Sequence, residues 1–428
     1  MSHFTALCGP SPNCEEKERS VSIPHRGYKG GKKSPINIVP SFSPPHCSTS
    51  TPKMPSPSLK ITGFGIAYPP SSPAADLDKI AYKYYKPSPA LDKVLAINRR
   101  TGIKAHSLIS PILDLPEPES IKETSEIFLK EGLALALSAS RQAIAEAGLA
   151  VDEITHVVTT TCTNSSNPGY DSFLAQGLGL RPSVEKVLLH GVGCAGGLAA
   201  LRLAASFCQS AAWRGEPAHV LVNACEITSS MLRDELKIID RDQQVRLGIT
   251  LFGDGAASLV LSLDPGDVDP VNKFPKAIYE LVNWSHITVP DTYSDLRIDV
   301  TSTGFKPTLS ARIPTLTAPC TPLLYDDLLK TLPNKSSRST LPPDPSNFDW
   351  AVHPGGAAIL AGIQTAMRLE KEHMKASWEV YENHGNTSSV SVIHVLDTLR
   401  RTPGREWVMS AAFGPGVTAE GCLLRRAD

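Results

Sequence analysis

The sequence lacks a predominant charge, because 42 Lys and Arg residues are balanced by 43 Asp and Glu residues over 428 positions. No overall electrostatic field therefore favours nucleic acid or an anionic membrane as a partner. The sequence also lacks an apolar run of the roughly 18 to 20 residues that a membrane-spanning helix needs, and an N-terminal apolar stretch typical of a secretory signal. These absences predict a cytoplasmic protein with no membrane span and no nucleic-acid partner.

Paired cysteines are also missing. The nine cysteines are odd in number and scattered, and none belongs to a CxxC pair of the kind found in zinc and redox sites. This usage predicts a reducing compartment, no disulfide framework and no metal site.

Composition and periodicity divide the chain into three regions. Residues 1–58 are rich in Pro, Ser and Lys and have no helical or strand periodicity, which predicts a disordered N-terminal tail; a start site at Met54 is the alternative. Beyond the tail, strand and helix patterns alternate, and the acidic lead into a strand at 152–158 is echoed at 347–353. We therefore predict an α/β fold with buried sheets and two related halves, 59–268 and 269–428.

One cysteine lies among glycines between a predicted strand and a predicted helix. Cys194 is the central residue of the segment GVGCAGG. A tight turn requires small neighbours, and the free N–H groups at the start of a helix favour a negative charge on sulfur. Such a position lowers the pKa of a thiol and makes it nucleophilic. The alternative is a buried cysteine in a glycine-rich packing turn, and this motif alone leaves both open.

Two further polar residues follow apolar segments at glycine-containing turns. His353 ends a predicted strand in WAVHPGG, and Asn386 precedes a predicted helix in GNTSS. Taken alone, Asn386 is more typical of a helix cap than of a catalytic donor. Three such turns carrying Cys, His and Asn are nevertheless less expected by accident than any one of them.

These motifs resemble, in order, those of the type III polyketide synthases, the chalcone synthase superfamily. The matching segments are GVGCAGG, NACEITSSM, LFGDGAAS, WAVHPGGAAIL, GNTSS and AAFGPGVTAEG. The resemblance covers residues 59–428, and the segment CTNSSNPGYD is more similar to the fungal branch than to the plant branch.

The resemblance implies a thiolase-like αβαβα fold with two duplicated halves and a homodimeric enzyme. It implies that Cys194 accepts an acyl group from a CoA thioester, and that His353 and Asn386 polarise malonyl-CoA during decarboxylation. The substrates would then be an acyl-CoA starter and malonyl-CoA, with no bound cofactor. The expected products are pyrones or resorcinol and resorcylic compounds made from an aliphatic, medium-to-long starter, as in alkylpyrone and alkylresorcylic acid synthases.

The resemblance also assigns residues to the reaction chamber. Two phenylalanines would separate the chamber from the CoA tunnel, and smaller residues would line it. The predicted substrate-binding set is Phe252, Phe305, Cys162, Asn167, Thr228, Ser230, Met231, Leu296 and Ser388. The predicted contacts to the CoA phosphates are Lys93, Arg99 and Arg100, each of which has the alternative of being an ordinary surface charge.

Three other functions compete with this one. A single-round ketoacyl synthase of the initiation type shares the fold and the three polar residues. A papain-type hydrolase shares the chain order, although its spacing and cysteine context differ. A homologue that serves only as a binding subunit is the third alternative.

Overall fold

The computed structural model describes residues 58–109, 120–264, 275–332, 341–342 and 344–427. The strands are β1 (Ser58–Ala67), β2 (Ser71–Pro73), β3 (Ala105–Ser107), β4 (His156–Thr160), β5 (Glu185–Leu189), β6 (His219–Glu226), β7 (Gly255–Asp264), β8 (Tyr279–Thr288), β9 (Leu296–Thr301), β10 (Gly304–Leu309), β11 (Asp349–Val352), β12 (Trp407–Gly414) and β13 (Thr418–Arg426). The helices are α1 (Asp76–Tyr84), α2 (Pro89–Asn98), α3 (Ile121–Ile127), α4 (Leu133–Glu146), α5 (Tyr170–Leu178), α6 (Gly196–Arg214), α7 (Ser229–Asp242), α8 (Gly248–Leu251), α9 (Ile313–Thr317), α10 (Cys320–Lys330), α11 (Ala357–Met367), α12 (Lys375–His384) and α13 (Ser389–Arg400).

Nine strands form one hydrogen-bonded sheet in the order β11-β12-β13-β8-β1-β7-β6-β4-β5. From β1 outward, the pairs β1/β7 and β7/β6 are antiparallel, and the pairs β6/β4 and β4/β5 are parallel. From β8 outward, β8/β13 and β13/β12 are antiparallel and β12/β11 is parallel. The two halves therefore have similar strand pairing outward from the centre of the sheet, and they join where β1 pairs with β8.

Helices α6 and α13 lie between the two half-sheets. The hydrophobic core around them contains inward-facing residues of β1, β4, β6 and β7 from one half and of β8, β11, β12 and β13 from the other. A Cβ on Gly197 would lie 2.5 Å from the carbonyl oxygen of Ser389, so the first turns of the two helices approach closely. Each fully buried leucine or isoleucine in this layer contributes about 2 kcal/mol of hydrophobic stabilisation.

The outer faces of the half-sheets are covered by other helices. Alternate residues of β4, β6 and β7, such as Val157, Leu221 and Val260, pack against α4 and α5. Alternate residues of β11, β12 and β13, such as Trp350 and Met409, pack against α10 and α11. Five layers result, helix, sheet, helix, sheet, helix, which confirms the predicted αβαβα fold.

Two predictions about organisation lie outside the described residues. The tail predicted at 1–58 falls on undescribed residues except for Ser58, which begins β1. The predicted boundary between residues 268 and 269 falls in the undescribed segment 265–274, so it stays a prediction. Within the described part of the chain, no helix is long and apolar enough to cross a bilayer.

Candidate active site

Cys194 lies in a tight turn between strand β5 and helix α6. The turn, Gly193–Ala195, is a short 3₁₀ helix, and α6 begins directly after it. Gly193 has a positive φ of 48°, and a Cβ at this residue would come 2.6 Å from Cδ of Pro415. Glycine therefore lets the turn close around the thiol, whose residue is only 9% exposed.

His353 follows the last residue of strand β11. Its backbone N–H donates to the carbonyl of Ala411 at 2.8 Å, which extends the parallel pairing with β12. The side chain is buried, and neither ring nitrogen has a hydrogen-bond partner among the residues that the structure describes. Burial lowers the pKa of His353 to about 3, because the charged imidazolium would lose its hydration. Buried polar atoms are normally paired, so this ring is typical of one that contacts substrate.

Asn386 lies between helices α12 and α13 and is positioned by its backbone. Its N–H donates to the carbonyl of Leu251 at 2.8 Å, and its carbonyl accepts from Gly253 at 3.0 Å. The side-chain Nδ2 donates to the carbonyl of Gly355 at 3.3 Å, two residues beyond His353. Because Ser388 occupies the N-cap position of α13, Asn386 is not the cap residue of that helix.

The three side chains line one cavity of about 370 Å³. They come from distant parts of the chain, and the close approach of α6 to α13 brings two of them together. The rest of the wall is largely apolar and includes Leu251, Phe252, Leu296, Leu309, Ile313, Ile359 and Phe413. A thiol, an imidazole and a carboxamide in an apolar cavity form a set able to accept an acyl group and to stabilise an oxyanion.

The ionisation of Cys194 differs from the expectation based on the sequence. A lowered thiol pKa is expected at a helix start, but burial raises the pKa of Cys194 to about 11. The side chains of Ser388 and Asn386 oppose this shift, and the buried carboxyl group of Glu226 adds to it. Desolvation outweighs the helix N-terminus here because the sulfur has little contact with water.

Two family models match the chain. The "Chalcone and stilbene synthases, N-terminal domain" matches residues 107–265, and the corresponding C-terminal domain matches residues 280–427. The chain belongs to this family. The acylalkylpyrone synthase csyB of Aspergillus oryzae is 36% identical over 388 residues, which are 88% of this chain and 96% of that protein. The type III polyketide synthase pspB of Penicillium soppii is 33% identical over 395 residues, 87% of this chain and 98% of that protein.

Solved structures of fungal enzymes are also similar to this polyketide synthase. A type III pentaketide synthase from Neurospora crassa superposes with a TM-score of 0.81 at 45% identity, covering 86% of this chain and all of that one. CsyB complexed with CoA-SH superposes with the same TM-score at 35% identity and the same coverage. The predicted family, its fungal branch and the acyltransferase class are therefore confirmed. The enzyme is a type III polyketide synthase, and the ketoacyl synthase alternative is not favoured.

The two predicted gate residues of this polyketide synthase belong to one buried apolar cluster. Phe252, Phe305 and Met231 form a small buried apolar cluster. Phe252 follows helix α8 and lines the cavity, whereas Phe305 lies in β10 and does not. The cavity therefore lies on one side of this cluster. The roles of these residues as a gate stay predictions.

Apart from Leu296, the other predicted chamber residues are not part of the cavity wall, although the hydroxyl of Ser388 hydrogen-bonds the Cys194 thiol. Leu296 lines the cavity. Thr228 and Ser230 are buried and donate to the carbonyls of Gly253 and Ile227 at 2.6 and 2.8 Å. Cys162 and Ser388 are buried beside each other, with 3.5 Å between Sγ and Oγ.

Asn167 lies outside the cavity. It is exposed, and it precedes a cis peptide bond to Pro168 in the segment before α5. The structure of this chain therefore does not bring Asn167 to the cavity, and the sequence pattern contained no information on which side of the turn it faces.

The three predicted CoA-phosphate contacts differ in their surroundings. Arg99 forms an ion pair with Asp78. Arg100 is exposed and precedes Thr101, which lines the cavity. Lys93 is exposed and lies two turns earlier on α2. Of the three, Arg100 is the basic residue adjacent in sequence to the cavity wall.

Glu226, which belongs to none of the predicted site residues, is fully buried at the end of β6. Its Oε1 accepts from the hydroxyl of Ser389 at 2.5 Å, and its Oε2 accepts from the backbone N–H of Cys162 at 3.0 Å and from the hydroxyl of Thr163 at 3.0 Å. Burial raises the pKa of this carboxyl group. The available signal was an acidic residue within the apolar strand pattern HVLVNACE.

Proposed function

We propose that this enzyme transfers an aliphatic acyl group from a CoA thioester to Cys194 and extends it with malonyl-CoA. The observation that supports this proposal is the common cavity of Cys194, His353 and Asn386, whose remaining wall is largely apolar. Apolar walls favour a hydrocarbon chain over a polar substrate. The starter is of medium to long chain length, and the products are pyrones or resorcinol and resorcylic compounds. The name of the similar acylalkylpyrone synthase from Aspergillus oryzae agrees with this proposal.

Acyl loading begins with proton transfer from Cys194 to His353. Each group alone is neutral at pH 7, because burial raises the thiol pKa to about 11 and lowers the imidazole pKa to about 3. When the proton moves between them, the thiolate and the imidazolium compensate each other, and the pair titrates as a unit. The thiolate then attacks the acyl thioester, and the CoA thiolate leaves and takes up a proton.

Extension uses His353 and Asn386 as hydrogen-bond donors to the thioester oxygen of malonyl-CoA. As carbon dioxide leaves, the electron pair of the broken bond forms an enolate, and these donors stabilise its oxygen. The enolate carbon attacks the acyl carbonyl on Cys194, and the Cys194 thiolate is the leaving group. The extended chain returns to the sulfur for the next round, and cyclisation releases the product.

The proposal is tested by incubating the purified protein with radiolabelled malonyl-CoA and a series of acyl-CoA starters of increasing chain length. We expect carbon dioxide release and pyrone or resorcylic products with the longer aliphatic starters. Products of a single condensation would indicate a ketoacyl synthase. Absence of carbon dioxide release with every starter would overturn the proposal.

The reactivity of Cys194 towards iodoacetamide should depend on pH differently with and without His353. In the wild type, internal proton transfer forms the thiolate without net proton release, so the alkylation rate should be nearly constant between about pH 6 and 8. In His353→Gln, the raised thiol pKa leaves little thiolate, and the rate should rise about tenfold per pH unit. Peptide mass spectrometry at Cys194 in a Cys162→Ala background measures both rates. Identical pH profiles would show that no such pair forms.

We propose that Arg100 contacts the CoA phosphates, with weaker contributions from Lys93 and Arg99. We expect Arg100→Ala to raise the KM for malonyl-CoA about tenfold with little change in kcat, because a charged hydrogen bond to phosphate is lost. Arg99→Ala is the matched control, since Arg99 already pairs with Asp78. Steady-state kinetics with malonyl-CoA measure KM and kcat for both variants. Equal KM values for the two variants would contradict this assignment.

We also propose that the enzyme is a cytoplasmic homodimer that needs no metal or other bound cofactor beyond its CoA thioester substrates. The described cysteines are all free thiols, as expected in a reducing compartment. Sedimentation analysis of the full chain tests the dimer, and activity after exhaustive treatment with a chelator tests the independence from metal.

A further inference from the structure

A buried ion pair lies next to the cluster of Phe252, Phe305 and Met231. Glu235, on helix α7, is 2% exposed; its Oε1 accepts from Nε of Arg246 at 3.0 Å and lies 2.9 Å from Nη2. Arg246 lies shortly before helix α8, and its side chain is 14% exposed. Helix α7 also carries Met231, so the pair and the cluster share one helix.

The carboxylate of Glu235 contacts the segment that ends at Phe252. Its Oε2 accepts from the backbone N–H of Ile249 at 3.0 Å. A Cβ on Gly248 would lie 2.6 Å from this oxygen and 3.1 Å from Cδ2 of Phe252. The N–H of Phe252 donates to the carbonyl of Gly248 at 2.9 Å. The carboxylate, helix α8 and the ring of Phe252 are therefore packed without spare volume.

The guanidinium of Arg246 contacts the segment that carries Phe305. Its Nη2 donates to the carbonyl of Pro307, two residues beyond Phe305 in β10. On the other side of Phe305, the hydroxyl of Thr303 donates to Oδ1 of Asp234 at 3.3 Å, and Asp234 is also on α7. The segment around Phe305 is thus connected to helix α7 directly through Thr303 and indirectly, through Arg246 and Glu235, at Pro307.

Stability alone gives little reason for an ion pair at this position. Replacing a buried ion pair with apolar residues of similar volume is often neutral or stabilising, because removing two charges from water is costly. Hydrophobic burial of the cluster is not directional, whereas a planar guanidinium with several donors fixes the relative position of its acceptors. The ion pair therefore defines the distance between the segment that ends at Phe252 and the segment that carries Phe305. The apolar cluster by itself does not define this distance.

Resting on the proposed function, we infer that Glu235 and Arg246 are positioning residues that set the separation of Phe252 and Phe305 and, through it, the number of malonyl units added. In the gate role that the family resemblance implies, the separation of the two rings limits the length of chain that can be accommodated beyond them. A shift of the rings changes the length at which the growing chain no longer fits. Displacements of about 1 Å have large effects on reacting geometry. Loading of Cys194 is unaffected, because neither residue lines the cavity at the sulfur.

The test compares product distributions of the wild type with those of the double variant Glu235→Gln/Arg246→Met, which removes both charges together. We expect the ratio of products that differ in the number of extensions to change by at least about threefold, with an unchanged rate of acyl loading. Arg246→Lys keeps the buried cation but lacks the planar fork, so it should change the ratio in the same direction by less. Arg246→Lys also keeps the test valid if the double variant does not fold.

The control is a second Arg–Glu pair, in which the carboxylate is buried and the arginine side chain is 33% exposed. Arg202 on α6 donates twice to Glu420 on β13, at 2.9 and 2.8 Å, and Glu420 is 3% exposed. Arg202→Met/Glu420→Gln should lower the melting temperature comparably and leave the product ratio as in the wild type. A product ratio that is unchanged in the Glu235 and Arg246 variants, or equally changed in the control, overturns the inference. A wild type that makes no condensation product contradicts the proposed function instead.

Discussion

Replacing Cys194 by alanine should abolish acyl loading and lower product formation by at least about 10⁴-fold, because every later step uses the thioester on this sulfur. The measurement is intact-protein mass spectrometry after incubation with an acyl-CoA starter, followed by product analysis with malonyl-CoA added. The wild type should gain the mass of one acyl group, and Cys194→Ala should gain none.

Cys162→Ala is the matched control for this variant. Cys162 is a second buried thiol in the same region, and its sulfur is 3.5 Å from the hydroxyl of Ser388. Burial raises its pKa well above the usual range, and the carboxylate of Glu226 raises it further, so it is a poor nucleophile. We expect Cys162→Ala to be loaded as the wild type is. If acyl loading survives in Cys194→Ala and disappears in Cys162→Ala, the nucleophile is Cys162 and the assignment of Cys194 is wrong.

Asn386→Ala should separate loading from extension. The carboxamide acts mainly when negative charge develops on the malonyl thioester oxygen, because its effect on the pKa of Cys194 is smaller than that of burial; carbon dioxide release should therefore fall about 10²- to 10³-fold while acyl loading continues. His353→Gln should lower both steps, because the imidazole also accepts the thiol proton. Release of labelled carbon dioxide and mass spectrometry of the acyl-enzyme measure the two steps separately.

A buried asparagine distant from the site provides the control for Asn386→Ala. Asn283 on β8 is 8% exposed, and its Nδ2 donates to the carbonyl of Leu328 at 2.7 Å. Asn283→Ala should reduce stability by about 1 to 3 kcal/mol through the unpaired carbonyl, without a specific loss of decarboxylation. Equal losses of decarboxylation in both variants would show that Asn386 is only structural.

The positions of Cys194, His353 and Asn386 were predictable from the sequence because each follows a simple local pattern. An apolar strand, a glycine-containing turn and a polar residue are all specified by residues close together in the chain. Their common cavity was not visible locally, since it depends on packing α6 against α13 and on the parallel pairing of β11 with β12. The resemblance to the family supplied that information in advance.

Electrostatics was the least predictable property from the sequence. The helix start after Cys194 is visible in the residues, and it favours a thiolate. The structure shows that burial outweighs it and raises the pKa of Cys194 to about 11. The surroundings of Arg99 and Arg100 were equally unpredictable. The two arginines are adjacent in the sequence, but the folded chain brings Asp78 to Arg99 alone.

The family, the layered fold and the three polar residues at glycine turns were visible in the amino-acid sequence, because short motifs and the periodicities of strands and helices are local properties. The packing of distant elements sets which of these residues share a cavity, leaves Asn167 outside it, and buries Glu226 and Glu235, with Arg246 partly buried against Glu235. Burial, desolvation and ion pairing depend on residues distant in the chain, and no local pattern specifies which of them will meet.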